Sequence, residues 1–522
     1  MTSSLIRGRP RRAKAHIRVR VAHAVLGAVV GVGWLVLSVR TVVAEDPVPA
    51  APAGTVVSAA APQQGGTSTA DLVLPLLAGV AALVLAGYGY LRRTRRARTR
   101  TTPGTVSAAP PAPTAADTER QARTALVTAD DCVRTSREEL SFVQRRFGGP
   151  DTEVFAHALR AAETELSAAC AIWRRYEQGI PQDPVARRQA LVGVIGRCAE
   201  AGRRLDSGAA ELDLLRDLEG PGLGEALETA EGRFRELTGR TLTAQDTLTA
   251  LHERYAPSVL WPVTGYVEQA KDRLVFATAR LNEARQTADR DDGERAARHL
   301  RAAEGAVSQA EILIGGVERL ATDLRQAADL LPATLTGAEA ELAAARRGGR
   351  ALTRGELHAR LTHADTVLAA VREERTTGPY DPLDALHRIT RTVRRLENGR
   401  SGVVSAAAHL VARSSVAAAE EFIAVHRAAV GPESRARLAE AIRDLSADHA
   451  DEADTAARAA RERAEQDVRT HGTPYTDTPS AAPGLAGAVL GGILLAEDPD
   501  AGPPASYGGP ETRSRRHSPN PP

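Results

Sequence analysis

Between Leu300 and Leu331, small and apolar residues return every three or four positions without a break: Leu300, Ala303, Val307, Ala310, Ile314, Val317, Ala321, Leu324, Ala328 and Leu331. An α-helix turns once in about 3.6 residues, so this spacing gathers them all on one seam. A heptad register held for so long suits only long helices packed side by side. Phe155, Leu159, Ala162, Leu166, Ala169, Trp173 and Tyr176 keep the same spacing, as do Leu227, Ala230, Phe234, Leu237, Thr241, Ala244, Leu248, Leu251 and Tyr255. Leu357, Leu361, Ala364, Leu368 and Val371 continue it.

Breakers divide these stripes. Gly148-Gly149-Pro150, Pro181 with Pro184, Gly220-Pro221-Gly222, Pro257, Gly348-Gly349, Gly378-Pro379 and Gly431-Pro432 each sit between two of them, where glycine ends a helix and proline cannot continue one. Pro332 marks a further boundary or a kink. The expected fold class is all-α: some eight to ten helices over residues 114–470, joined by tight turns that make neighbours antiparallel. Aromatic residues make up 3% of the chain and there is one methionine, so the seams are filled largely by alanine. Each alanine buries little apolar surface and lets backbones approach closely. Thin two- or three-helix layers of coiled-coil type follow, as a spectrin-like rod or a stack of hairpins, with a homodimer wherever the chain leaves a seam uncovered.

Before the helical region the chain changes character. Basic residues and an uncharged run from Val21 to Val39 fill residues 1–44, ending in Val42-Val43-Ala44, small residues of the kind a signal peptidase reads, so cleavage is expected after Ala44. An uncleaved first span is the alternative. Residues 45–71 are a short Pro/Ala/Gly-rich stretch placed outside the membrane. Leu72–Leu91 then carry no charge over the length that crosses a hydrocarbon core of about 30 Å. Arg92, Arg93, Arg95, Arg96, Arg98 and Arg100 follow at once; such a collar stays on the cytoplasmic side and is placed to contact anionic lipid. A Pro/Ala linker completes residues 92–113. Residues 471–522 read as a disordered tail holding one apolar island, Gly484–Ala496, too short to span a bilayer.

Little in the sequence points to catalysis. It has no phosphate-binding G-x-x-x-x-G-K-[ST], no H-E-x-x-H and no G-x-S-x-G. Cys132, Cys170 and Cys198 have neither the number nor the spacing of a disulfide framework or zinc site and read as buried apolar residues. A metal ion would find its best ligands among Asp448, His449, Asp451, Glu452 and Asp454, with His449 and Glu452 on one helix face. No matching Glu-x-x-His pairs stand elsewhere, and the same residues read more simply as a solvated face. Trp173 and Tyr176 fall in register with Leu166, which assigns them to a core, and His299 reads as a surface histidine. Arginines interleave with acids along the middle of the chain, unlike a nucleic-acid footprint, so no nucleic-acid partner is expected.

The order of parts resembles actinobacterial membrane proteins of the TPM-domain family. The residues that carry the resemblance are HLRAAEGAVSQAEILIGGVERLATDLRQAADLLPATLTGAEAELAAARRG at 299–348, YDPLDALHRI at 380–389 and GLAGAVLGGILL at 484–495. The family's named domain, an exported α/β fold with phosphatase-like or membrane-assembly roles, would lie between signal and span. Here that interval holds only Glu45–Asp71, so no activity or site residue transfers. The resemblance implies a relative retaining the anchor and cytoplasmic helices alone. The expected function is thus a non-catalytic, membrane-anchored scaffold of the bacterial cell envelope, without cofactor, that binds other proteins through coiled-coil surfaces. A helical-bundle metalloenzyme and an anionic-lipid organiser are the alternatives.

Overall fold

The computed structural model describes residues 114–348, 354–394, 402–472 and 506–517. Ala44, residues 45–71, Leu72–Leu91, the arginines from Arg92 to Arg100, the linker before Thr114 and the island Gly484–Ala496 all lie outside the described residues. The chain divides into two units, Met1–Ser107 and Ala108–Pro522, and everything described belongs to the second.

Among the described residues there are α-helices and one 3-10 helix and no strand. The helices are α1 (Ala115–Phe147), α2 (Gly149–Glu177), α3 (Pro184–Arg216), α4 (Gly222–Arg254), α5 (Tyr266–Ala288), α6 (Gly293–Gly348), α7 (Arg354–Thr377), α8 (Pro382–Arg394), α9 (Gly402–Val425), α10 (Pro432–Ser446), α11 (Ala450–Gly472) and α12 (Pro510–His517); the 3-10 helix is Pro257–Val263. Over residues 114–472 that makes eleven described α-helices against eight to ten, because α8 ends and α9 begins between residues 394 and 402 and because α5 is separated from α6, and α10 from α11, by turns without proline. In those turns Asp291 and Asp448 adopt positive φ, a conformation that Asp tolerates better than most residues.

The starts and stops follow local chemistry. Thr114 opens α1 with a capping box, its hydroxyl accepting from the Asp117 amide while the Asp117 carboxylate accepts from the Thr114 amide. Asp183 accepts from the Ala186 amide at the start of α3, with Pro184 in the first helical position. Pro332 is no boundary: α6 runs straight through it. Its ring is exposed, while Leu335, Ala338, Leu342 and Ala345 extend the seam and are buried beyond it. Packing along the seam outweighs the one backbone bond that proline removes.

Four apolar clusters form the core. The first joins α1, α2 and α3. The second joins α4, α5, the 3-10 helix and the first half of α6, up to Leu324. From Ala327 onward the second half of α6 packs with α7, α8 and the first part of α9. The rest of α9 packs with α10 and α11. Helices α6 and α9 therefore each supply several residues to neighbouring clusters, and α1 and α10 each reach a second cluster through Phe142 and Ala436. Helix α9 is long and apolar enough to cross a membrane, yet it packs here against α6, α8, α10 and α11.

The expectation of an unstructured tail beyond residue 470 is corrected over Ser506–His517. There the chain lies against α1 and α3, with Tyr507 fully buried in the first cluster. The physical reason is a set of specific hydrogen bonds and close glycine contacts that no hydrophobic periodicity announces.

Candidate functional site: a groove holding the C-terminal segment

Helices α1 and α3 place acids along a shared face. On α1 the acid is the buried Glu139, beside the hydroxyl residues Thr135 and Ser136; on α3 the acids are Asp206 and Asp213. Glycine matters at one place on this face. Gly202 brings the α3 backbone so close to the C-terminal segment that an added Cβ would lie 2.7 Å from Pro510 Cδ, and a Cβ on Gly509 would lie 2.3 Å from the Gly202 carbonyl oxygen. Any larger side chain at either residue would push the two backbones apart.

The segment Ser506–His517 is held through both its backbone and its side chains. The Tyr507 amide donates to Glu139 Oε2, the Gly508 amide to Ser136 Oγ at 3.1 Å, and the Gly509 amide to Asp206 Oδ1 at 2.9 Å. Asp206 also accepts from the Thr512 amide at 3.0 Å and from the Thr512 hydroxyl at 2.6 Å. A carboxylate on α3 thereby caps the first turn of α12, whose free amides favour an anion. The Tyr507 hydroxyl donates to the Phe155 carbonyl at 3.1 Å and its ring meets Phe155 edge-on. Arg513 donates to Thr135 Oγ1 and Arg516 to Asp213.

Beneath the segment lies a buried ionic network. Arg216 of α3 bridges Glu139 of α1 and Glu304 of α6, reaching Glu304 at 2.6 Å. Arg301 of α6 reaches Asp213 at 3.0 Å and stands 3.6 Å from Glu139. Burial by itself would push the Glu139 carboxyl up, but Arg216, Arg301, Arg516 and the Tyr507 amide outweigh it and bring it down to about 2. Burial dominates at Glu304, and with Glu139 nearby it raises that carboxyl despite Arg216. Burial together with Glu139 also raises the Tyr507 phenol, so the ring stays neutral. Three carboxylates, Glu139, Glu304 and Asp213, meet three guanidiniums, Arg216, Arg301 and Arg516. One of those guanidiniums comes from the C-terminal segment, so a bare groove would be left with an excess of negative charge.

Beyond Pro510 the same helices continue as an open groove of about 920 Å³, lined in part by Gln121, Ala125, Thr128, Ile195 and Cys198.

The chain is similar to two proteins of Mycobacterium tuberculosis, UPF0603 protein MT2410 of strain CDC 1551 / Oshkosh and UPF0603 protein Rv2345 of strain ATCC 25618 / H37Rv. Each is 30% identical over 421 residues, covering 74% of this chain and 62% of the relative. The chain therefore spans about three fifths of the length of the curated relatives it matches. No family model and no solved structure matches it.

Of the residues singled out from the sequence, Cys198 lines the open groove beyond Pro510. Asp448 and His449 lie in the turn between α10 and α11, so His449 and Glu452 do not share a helix face as expected. Among the described residues no group of three or more His, Cys, Asp and Glu is arranged to hold a metal ion. Asp454, expected on a solvated face, is buried: it accepts from Ser415 Oγ and Arg458 Nε and lies 3.0 Å from His387 Nδ1, tying α11 to α9 and α8. His299 is not a free surface histidine but half-buried, 3.1 Å from Glu283. Trp173 is fully buried and stacks on Tyr176 within the first cluster. All three cysteines are buried free thiols, and burial raises Cys132 to about 11.

Proposed function

We propose that the chain is a membrane-anchored helical interaction protein whose helices lie on the cytoplasmic side and bind other proteins. The observation that carries this reading is the groove on α1 and α3, which holds a short peptide segment by backbone amides, a glycine contact and a buried tyrosine. Such a surface recognises polypeptide. The anchor in this reading is Leu72–Leu91, oriented by Arg92, Arg93, Arg95, Arg96, Arg98 and Arg100. Helix α9 is a poorer anchor, since it carries Arg413, Glu420 and Glu421.

Coiled-coil packing is supported by paired charges. Arg233 with Glu311 and Arg240 with Glu318 repeat one heptad apart on both α4 and α6, as in helices running side by side in one direction. Glu283 with His299 and Arg273 with Gln309 diverge in opposite directions from the α5–α6 turn, the pattern of an antiparallel hairpin. A non-catalytic role is supported by where the buried charges go: Asp130, Glu139, Glu304 and Asp454 all join one helix to another. The resemblance to TPM-domain membrane proteins fits a relative built around such helices.

Protease treatment of intact spheroplasts, followed by crosslinking in native membranes, tests the proposal. Residues 114–470 should sediment with membranes, resist external protease and yield crosslinks to other proteins. Digestion of the helices from outside would sink it.

A further inference from the structure

The occupied groove is built like a ligand site whose ligand happens to belong to the same chain. We propose that the α1–α3 groove also accepts the Ser506–His517 segment of a second copy, so that two chains dimerise by exchanging C-terminal segments. This rests on the reading of the chain as an interaction protein and names one of its partners.

Three observations carry it. The groove's complement is specific: Gly202 lies so close to Gly509 and Pro510 that neither glycine has room for a Cβ, Asp206 caps the turn begun at Pro510, and Tyr507 fills the space beside Phe155. Charge is complementary as well. Asp206, Asp213 and Glu139 on the groove meet a segment bearing Arg513, Arg515 and Arg516 against Glu511 alone. The segment's hydrogen bonds to Glu139, Ser136, Thr135, Asp206, Asp213 and the Phe155 carbonyl go to α1, α2 and α3, whereas the chain arrives from α11.

The third point frees the segment from its own body. Residues 473–505 connect it to α11 and reach about 110 Å when fully extended. The contacts made within one chain and between two chains are the same, so the balance between them is set by the local concentration of copies. Copies gathered in a membrane plane shift it toward exchange.

Complementation between two full-length variants in detergent tests this without competition from the chain's own segment. One variant, Gly202→Val with Asp206→Ala, keeps the segment and spoils the groove. The other, Tyr507→Ala with Arg516→Ala, keeps the groove and spoils the segment. With different affinity tags, the mixture should co-purify at least tenfold more strongly than either variant mixed with a differently tagged copy of itself. A synthetic Ser506–His517 peptide should bind the second variant and compete the mixed complex apart. If both variants keep their helical circular dichroism and the mixture stays apart, the proposal is overturned. It is overturned equally if the peptide binds and the copies do not. Should the Gly202 variant fail to fold, Asp206→Ala alone replaces it with the same expected outcomes. Failure here leaves the anchored-scaffold reading standing, since that is decided by protease protection and crosslinking to other proteins.

Discussion

Arg216 shows how much one side chain carries in this molecule. It is 3% exposed and neutralises two carboxylates that are themselves completely or almost completely buried, Glu139 and Glu304. Removing one partner of such a group leaves a charge in a medium that cannot solvate it, whereas replacing the whole set with apolar residues removes cost and gain together. Arg216→Ala should therefore destabilise the helical region by about 3–5 kcal/mol in urea unfolding. The double change Arg216→Met, Glu304→Leu removes one charge of each sign, leaves Glu139 and Asp213 facing Arg301 and Arg516, and should recover most of that loss. Equal instability of the single and double variants would show that packing around Arg216, and not its charge, is what matters.

At the scale of the element, α6 is where sequence and structure can be compared most directly. Its seam from Leu300 to Leu331 was legible because each turn repeats the same requirement, a small or apolar residue facing inward. Its continuation past Pro332 was not, because a proline reads locally as a stop and only the buried Leu335, Leu342 and Ala345 beyond it reveal that neighbours hold the helix together. The C-terminal segment was missed for a related reason. Its partners stand more than 300 positions away, and Gly202 in isolation looks like a residue that weakens a helix. The one hint was Tyr507, an aromatic residue stranded in a Pro/Gly-rich stretch of an aromatic-poor chain. Since proline inside a helix costs about 3 kcal/mol and Pro332 is exposed, Pro332→Ala should stabilise the protein by about 1–3 kcal/mol and raise its thermal midpoint. A lowered midpoint would mean that the proline fits a bend between the second and third clusters.

Over the whole molecule, three buried carboxylates fasten one group of helices to the next. Asp130 of α1 holds Arg435 of α10, Glu139 of α1 holds the C-terminal segment and, through Arg301 and the Arg216 it shares with Glu304, is joined to α6, and Asp454 of α11 holds α8 and α9. In each, burial works against ionisation and the surrounding donors win. Arg134 and Arg435 do so at Asp130, and His387, Arg458 and Ser415 at Asp454, so both fall from 3.8 to about 2. Glu139 falls from 4.5 to about 2. A carboxyl lowered in the folded state stabilises the fold above its unfolded value, and that contribution is lost as pH falls toward the folded value. The contribution of these acids should thus be fully present near neutrality, begin to decline near pH 4.5 and be largely lost near pH 2, with a smaller decline over the same window in Asp454→Asn and Glu139→Gln combined, where Asp130 alone of the three remains. Thermal melts across pH 2–7 measure it. Because the three acids sit between different clusters, acid should loosen the junctions while the alanine-filled seams stay helical, so tertiary signals from Trp173 and the C-terminal segment should disappear before helical circular dichroism does. Simultaneous loss of both would mean that the clusters do not hold as helices without their junctions.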